Sequence, residues 1–150
     1  MKSAQTNFAS AELELVIHAT EDMQKILSTV ESVIGIKPEE FAVGSIGGYF
    51  GNEIKLLKAS LGGEHATDLA YEIAKRMSGA DREHMRDNFD LYLDEKNSLH
   101  VRISKQALFE GRIVLSQADS LKIRFKTVKR FRPENEMENY RKFLVQGDEA

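Results

Sequence analysis

The stretch LHVRISKQALFEGRIVLSQADSLKIRFKTVKRFR, from Leu99 to Arg132, decides how this chain is read. Apolar residues alternate with basic ones over three successive strand-like segments. Side chains on a strand point to opposite faces in turn, so Leu99, Val101 and Ile103 are expected in a core while His100 and Arg102 face outward. Leu121, Ile123 and Phe125 repeat the pattern against Lys122, Arg124 and Lys126. Between Lys96 and Arg132 stand ten Lys or Arg against two acids, Glu110 and Asp119, whereas the whole chain carries a net charge of −3. The remainder is therefore acidic. Cations recurring along a sheet suit a phosphate backbone, whose charges recur along its length. An antiparallel sheet with one solvated face needs polar residues there as well, and the alternation alone fits both readings.

Working outward, Lys105 to Gly111 interrupts the alternation and predicts a short helical turn or loop that Gly111 closes. A bulge at Gly111 would send half the charges to the opposite face. Upstream, Asp94 to Ser98 is a polar cluster suited to a hairpin. Glu12 to Ala19 places Leu13, Leu15 and Ile17 on one face and predicts the first strand. Thr20 is the expected cap of a helix in which Ile26, Leu27, Val30, Val33 and Ile34 recur at helical spacing, with Gly35 at its end and Pro38 beyond. Phe41 to Leu61 reads as two strands joined by a glycine-rich bend. A second helix opens at Gly62 and Gly63, and a third is capped by Ser78, with Met85 and Phe89 facing inward.

Length and composition set limits on this picture. A chain of 150 residues suits one domain, and its charged and hydrophobic content is that of an ordinary folded protein. With no cysteine, disulfides, thiol catalysis and cysteine-rich zinc sites are excluded. The N-terminus has no apolar run of a signal peptide, and no stretch approaches a membrane span. A cytoplasmic protein without membrane contact is expected. Residues 1–10 are read as an unpatterned arm, 11–128 as the domain, and 129–150 as a basic linker followed by a helical tail over Glu134 to Val145.

Enzymatic signatures are weak. His18, His65, His84 and His100 show no metal-binding spacing, so no metal and no cofactor are expected. Asp81, Glu83, Asp87 and Asp90 on the third helix can be read as paired carboxylates or as a solvated helix face. No serine nucleophile motif is present. GSIGGYFG, at Gly44 to Gly51, contains Gly-x-x-Gly twice, a spacing that can bring backbone near a nucleic-acid phosphate or simply serve a hairpin. Tyr49, Phe50 and Phe109 are the aromatics nearest these stretches, and stacking on an unpaired base competes with burial for each.

Three separated blocks, HATED at His18 to Asp22, GGYFGNEI at Gly47 to Ile54 and DEKNSLHVRISKQALFEG at Asp94 to Gly111, resemble the archaeal RNA-binding domain family also labelled predicted exosome subunit. The likeness runs in order from about Glu12 to Val128. It departs from the family pattern at Glu53, Ser104 and the pair Leu108 and Phe109, and retains Tyr49, Gly51, Asn52, Arg102, Lys105, Gln106 and Gly111. The resemblance implies an α+β two-layer sandwich similar to the ribosomal protein that holds five-S ribosomal RNA. The element order read from the residues is compatible with a mostly antiparallel sheet, helices packed on one face and a C-terminal helix.

The reading that follows is a non-catalytic RNA-binding protein in RNA processing or ribosome-related assembly, its RNA structured or ribosomal. Tyr49, Asn52, Arg102, Lys105, Gln106, Arg112, Lys122, Arg124, Lys126 and Arg130 are the candidate contacts, with Lys129 and Arg132 extending the track. The alternative is a protein-interaction subunit whose basic face docks an acidic partner in an RNA-processing complex.

Overall fold

The structure, a computed structural model, describes residues 8–47 and 53–127. The glycine bend at 48–52, the arm before residue 8 and the expected linker and tail helix lie outside the described residues. Those described form a five-stranded antiparallel sheet with helices on one face, an α+β arrangement as expected.

Strand β1 (Phe8–Ile17) occupies the centre of the order β2-β3-β1-β5-β4. Its odd residues Ala11, Leu13, Leu15 and Ile17 are buried and its even residues Glu12, Glu14 and Val16 are partly exposed, the period of two that the sequence carries. The strand begins at Phe8, inside the segment expected to be an unpatterned arm. Phe8 is buried with its ring 5.1 Å from that of Phe125, and its amide donates to Thr67 Oγ1 at 3.0 Å. Burying a phenylalanine is worth roughly 1.5–3 kcal/mol, enough to hold three polar-flanked residues in the sheet.

Helix α1 (Met23–Ile34) follows, capped by Asp22 rather than Thr20: the Asp22 carboxylate accepts from the Lys25 amide at 3.2 Å. Ile26, Leu27, Val30, Val33 and Ile34 are its buried face, and Gly35 ends it at φ 74°, the left-handed region that favours glycine. β2 (Ala42–Gly47) and β3 (Ile54–Gly62) are the two strands flanking the bend. α2 (Gly63–Arg76) then crosses over β1 so closely that a Cβ on Gly63 would lie 3.1 Å from the Phe8 carbonyl oxygen. α3 (Gly79–Asp87) is capped by Ser78 through the Asp81 amide, and Met85 and Phe89 are buried, as the sequence predicts.

A short 3-10 helix at Phe89–Tyr92 leads to the Asp94 turn, where Asp94 Oδ1 accepts from the amides of Lys96 and Ser98. β4 (Leu99–Ser104), a five-residue helix α4 (Lys105–Phe109) and β5 (Ser120–Thr127) complete the described chain. The middle strand-like segment is not a full strand. It runs beside β4 with bridges from Ile113 to Met77 and from Leu115 to Ile103. Gly111 closes α4 at φ 74° as expected. It introduces no bulge between β4 and β5, whose register runs unbroken from Leu99↔Phe125 to Ser104↔Ser120.

Antiparallel pairing has a consequence for the loops. β1, β2 and β4 end, and β3 and β5 begin, at the same edge of the sheet. His18 to Glu21, the residues flanking the glycine bend, and the Ser104–Lys105 and Asp119–Ser120 junctions therefore share one end of the molecule.

Candidate nucleic-acid interface

The face of the sheet opposite the helices is built by the even residues of β4 and β5. Register places Arg102 beside Lys122 and His100 beside Arg124, and on the other flank of β5 it places Glu14 beside Lys122, Glu12 beside Arg124 and Ser10 beside Lys126. Lys58 of β3 lies opposite Glu14. One surface thus carries Lys58, Arg102, Lys122, Arg124 and Lys126 against Glu12 and Glu14. Like charges directly opposite on neighbouring strands destabilise a sheet, so the Arg102–Lys122 pair costs stability that an anion lying across it would return.

The cations are not equivalent. Arg124 pairs with Glu12, and Lys126 Nζ lies 3.3 Å from the same carboxylate oxygen. The hydrogen bond from Arg124, helped by Lys126, holds the Glu12 carboxyl below the usual glutamate range despite partial burial. Among the described residues, Arg102, Lys122 and Lys58 enter no ion pair. They are the cations with the most unused capacity for a ligand anion.

Lys105 belongs to a different site. Its side chain is 4% exposed and its ammonium donates to the Val16 carbonyl at 2.8 Å and to Glu21 at 2.9 and 3.1 Å, with Asp119 Oδ2 at 3.0 Å. Lys105 is expected from the sequence in a loop placed near the RNA; its ammonium protons are engaged by partners within the chain. Lys105 ties the end of β1, the turn before α1 and the start of β5 together. The ligand atoms of His18, Glu21 and Asp119 lie within 4.8 Å of one another, and the Lys105 ammonium bridges the two carboxylates. Glu21 also accepts from the His18 amide at 2.8 Å, closing the turn.

Gln106 is exposed at this end of the sheet. Arg112 is exposed but lies off the β4–β5 register, on the turn after α4, and pairs with Glu110. Tyr49, Asn52 and Arg130, with Lys129 and Arg132, lie outside the described residues. Phe109, for which burial competes with stacking on a base, is 37% exposed with Lys25 Nζ 5.4 Å from its ring centre. The four histidines fall on separate elements. The acids of α3 do not converge on a reaction centre: Asp81 accepts the Leu115 amide at 3.0 Å and docks α3 to the segment beside β4, while Glu83, Asp87 and Asp90 face solvent.

Sequence reasoning missed Lys58, Glu12 and Glu14 on the cationic face, and Glu21 and Asp119 around Lys105. A faint signal existed for some of them. Glu12 and Glu14 occupy outward positions of β1, and Glu110 and Asp119, the two acids of the basic stretch, each neutralise one of its cations.

A family model described as RNA binding matches residues 10–127, and the chain is a member of that family. The RNA-binding protein PAB1135 of Pyrococcus abyssi is 30% identical over 112 residues, covering 70% of this chain and 71% of the relative. An uncharacterized protein of Methanocaldococcus jannaschii, MJ0213, is 29% identical over 141 residues, covering 91% and 95%. The fold is shared with protein SSO0741 of Sulfolobus solfataricus, a DUF54 structure, at a TM-score of 0.74 and 24% identity over 91% of this chain and 98% of that one.

Among the described residues, no helix is long and apolar enough to cross a membrane.

Proposed function

We propose that the chain binds RNA without cleaving it, through the outer face of β4 and β5, with Arg102, Lys122, Arg124 and Lys126 meeting phosphates. The observation that carries this reading is the unbroken β4–β5 register, which gathers these cations on the face the helices leave bare. Family membership supports RNA as the ligand, and the name of the Pyrococcus abyssi relative points the same way. Lys and Arg contacts to phosphate position a strand more than they specify its sequence, so sequence preference is weak. Gln106 adds to the contact from the end of the sheet where it is exposed, and Tyr49, Asn52 and Arg130, outside the described residues, are further proposed RNA contacts. The resemblance to the predicted exosome-subunit family and to the holder of five-S ribosomal RNA supports a place in RNA processing or ribosome-related assembly in the cytoplasm.

A salt titration of binding to a pool of single-stranded RNA tests the proposal. If about four phosphates are neutralised, log affinity falls with log salt at a slope of roughly −3. A flat response, or no binding at low salt, overturns it. A protein partner that survives nuclease treatment, together with no RNA affinity in the purified chain, would replace it with the docking of an acidic protein on the same face.

A further inference from the structure

Where the cationic face meets the β4 edge, a cleft of about 470 Å³ opens between three parts of the chain. Leu91 and Tyr92 of the 3-10 helix line it together with His84 of α3. His100 and Arg102 of β4, and Gln117 beyond the segment that runs along β4, also line it. The size lies within the range of small-ligand sites, roughly 300–1,000 Å³.

Three observations fix what this cleft suits. Leu91 is 74% exposed, more than any other large apolar side chain among the described residues, and it stands at the lip of the cleft. Tyr92 is held in place: its hydroxyl shares a 2.8 Å hydrogen bond with His84 Nδ1, and the two rings meet edge to face at 6.1 Å. His100 is likewise fixed by Asp94 at 2.8 Å, while Arg102 enters no ion pair among the described residues. An apolar and aromatic lining, the side-chain amide of exposed Gln117 and a guanidinium in no ion pair among the described residues are components that can receive an unpaired base. The base packs on the apolar and aromatic surface, its edge meets the amide, and the cation takes the adjoining phosphate.

We propose that this cleft seats one unpaired base of an RNA strand whose phosphates run over β4 and β5, with Leu91 and Tyr92 against the ring, Gln117 at its edge and Arg102 on its phosphate. The proposal rests on the RNA-binding reading and adds to it a preference for single-stranded or looped RNA. Continuity supports this occupant, because His100 and Arg102 belong both to the cleft and to the cationic face.

The test compares two fluorescein-labelled RNAs of equal length, a mixed-sequence single-stranded 12-mer and the same sugar-phosphate chain with every base removed, by fluorescence anisotropy with the full chain. Base removal is expected to weaken binding about tenfold while leaving the slope against salt unchanged. Leu91→Ser and Gln117→Ala, both at exposed positions, should each weaken the 12-mer severalfold and leave the abasic strand unaffected. Equal affinity for the two strands, or equal weakening of both by Leu91→Ser, overturns the base site while the phosphate reading stands. Binding of neither strand at low salt overturns both.

Discussion

Lys122 and Lys105 come from the same basic quarter of the sequence, yet the structure uses them in opposite ways. Lys122 extends from β5 into solvent beside another cation, Arg102. Lys105, at the first position of α4, is enclosed by a backbone carbonyl and two carboxylates that reach it from the turn before α1 and the approach to β5. A cation in solvent keeps its hydration and can exchange it for a phosphate. One already desolvated and neutralised has nothing left to offer a ligand, but its loss leaves carboxylates and a carbonyl without their partner. The two regions should therefore separate stability from binding when each is altered.

The largest effect is expected at Lys105. Lys105→Met keeps the length and apolar stem of the side chain and removes its charge, leaving the Val16 carbonyl without this donor and Glu21 with the His18 amide as its remaining partner. Because the carboxylates left behind reach solvent, the cost is that of lost charge-assisted hydrogen bonds, about 1.5–3 kcal/mol, read as a fall in the urea midpoint with an unchanged m-value. RNA affinity, measured below the unfolding transition, should change less than twofold. A variant as stable as the wild type would show that the Lys105 network contributes nothing net, and one that stays folded but loses RNA would return Lys105 to the interface.

Arg102→Ala with Lys122→Ala is expected to do the reverse. Surface substitutions away from packing contacts stay within roughly 0.5 kcal/mol of the original stability, and here relief of the like-charge pair can offset part of any loss. Removing two phosphate contacts should flatten the slope of log affinity against log salt by about 1.4 and weaken binding about tenfold at low salt. Unchanged affinity with an unchanged slope would move the phosphate track off the β4–β5 face.

The contrast between these two lysines also shows what could be read from the chain and what could not. A period of two is a local property, so Leu99, Val101 and Ile103 and their counterparts on β5 announced both strands and both faces. Local chemistry likewise announced the Gly35 end of α1 and the Ser78 cap of α3. The burial of Lys105 depends on Glu21, 84 residues away, and the pairing of Arg124 depends on Glu12, 112 residues away. Neither partner is marked by spacing, because strand register is a tertiary choice. The same holds for the cleft at Leu91: the sequence shows Leu91 and Leu93 as a lead into a turn, and only the packing of the 3-10 helix against α3 and β4 leaves Leu91 exposed. The middle segment at Arg112 to Leu115 alternates like a strand but has α4 immediately before it and few residues in which to pair, so it forms bridges alone.

The smallest expected effect probes the one place where the two behaviours meet. Arg124 and Lys126 lie on the exposed face like Lys122, but share the Glu12 carboxylate, a partial version of the Lys105 arrangement. Glu12→Gln should free them from this competitor, raising RNA affinity about threefold while the salt slope stays near the four-phosphate value of roughly −3. Because the pairing lowers the Glu12 pKa, the carboxylate stays charged into mild acid. The ion pair's contribution to stability is present above the ordinary glutamate range and is lost as pH falls through the lowered value. The affinity gap between Glu12→Gln and the wild type should accordingly persist as pH drops to the ordinary range and close only below it, where the wild-type carboxyl is itself neutral. A gap that closes at higher pH would mean that Glu12 competes with RNA through its general field rather than by occupying Arg124 and Lys126. No gap at any pH would place the bound phosphates on Arg102 and Lys122 alone.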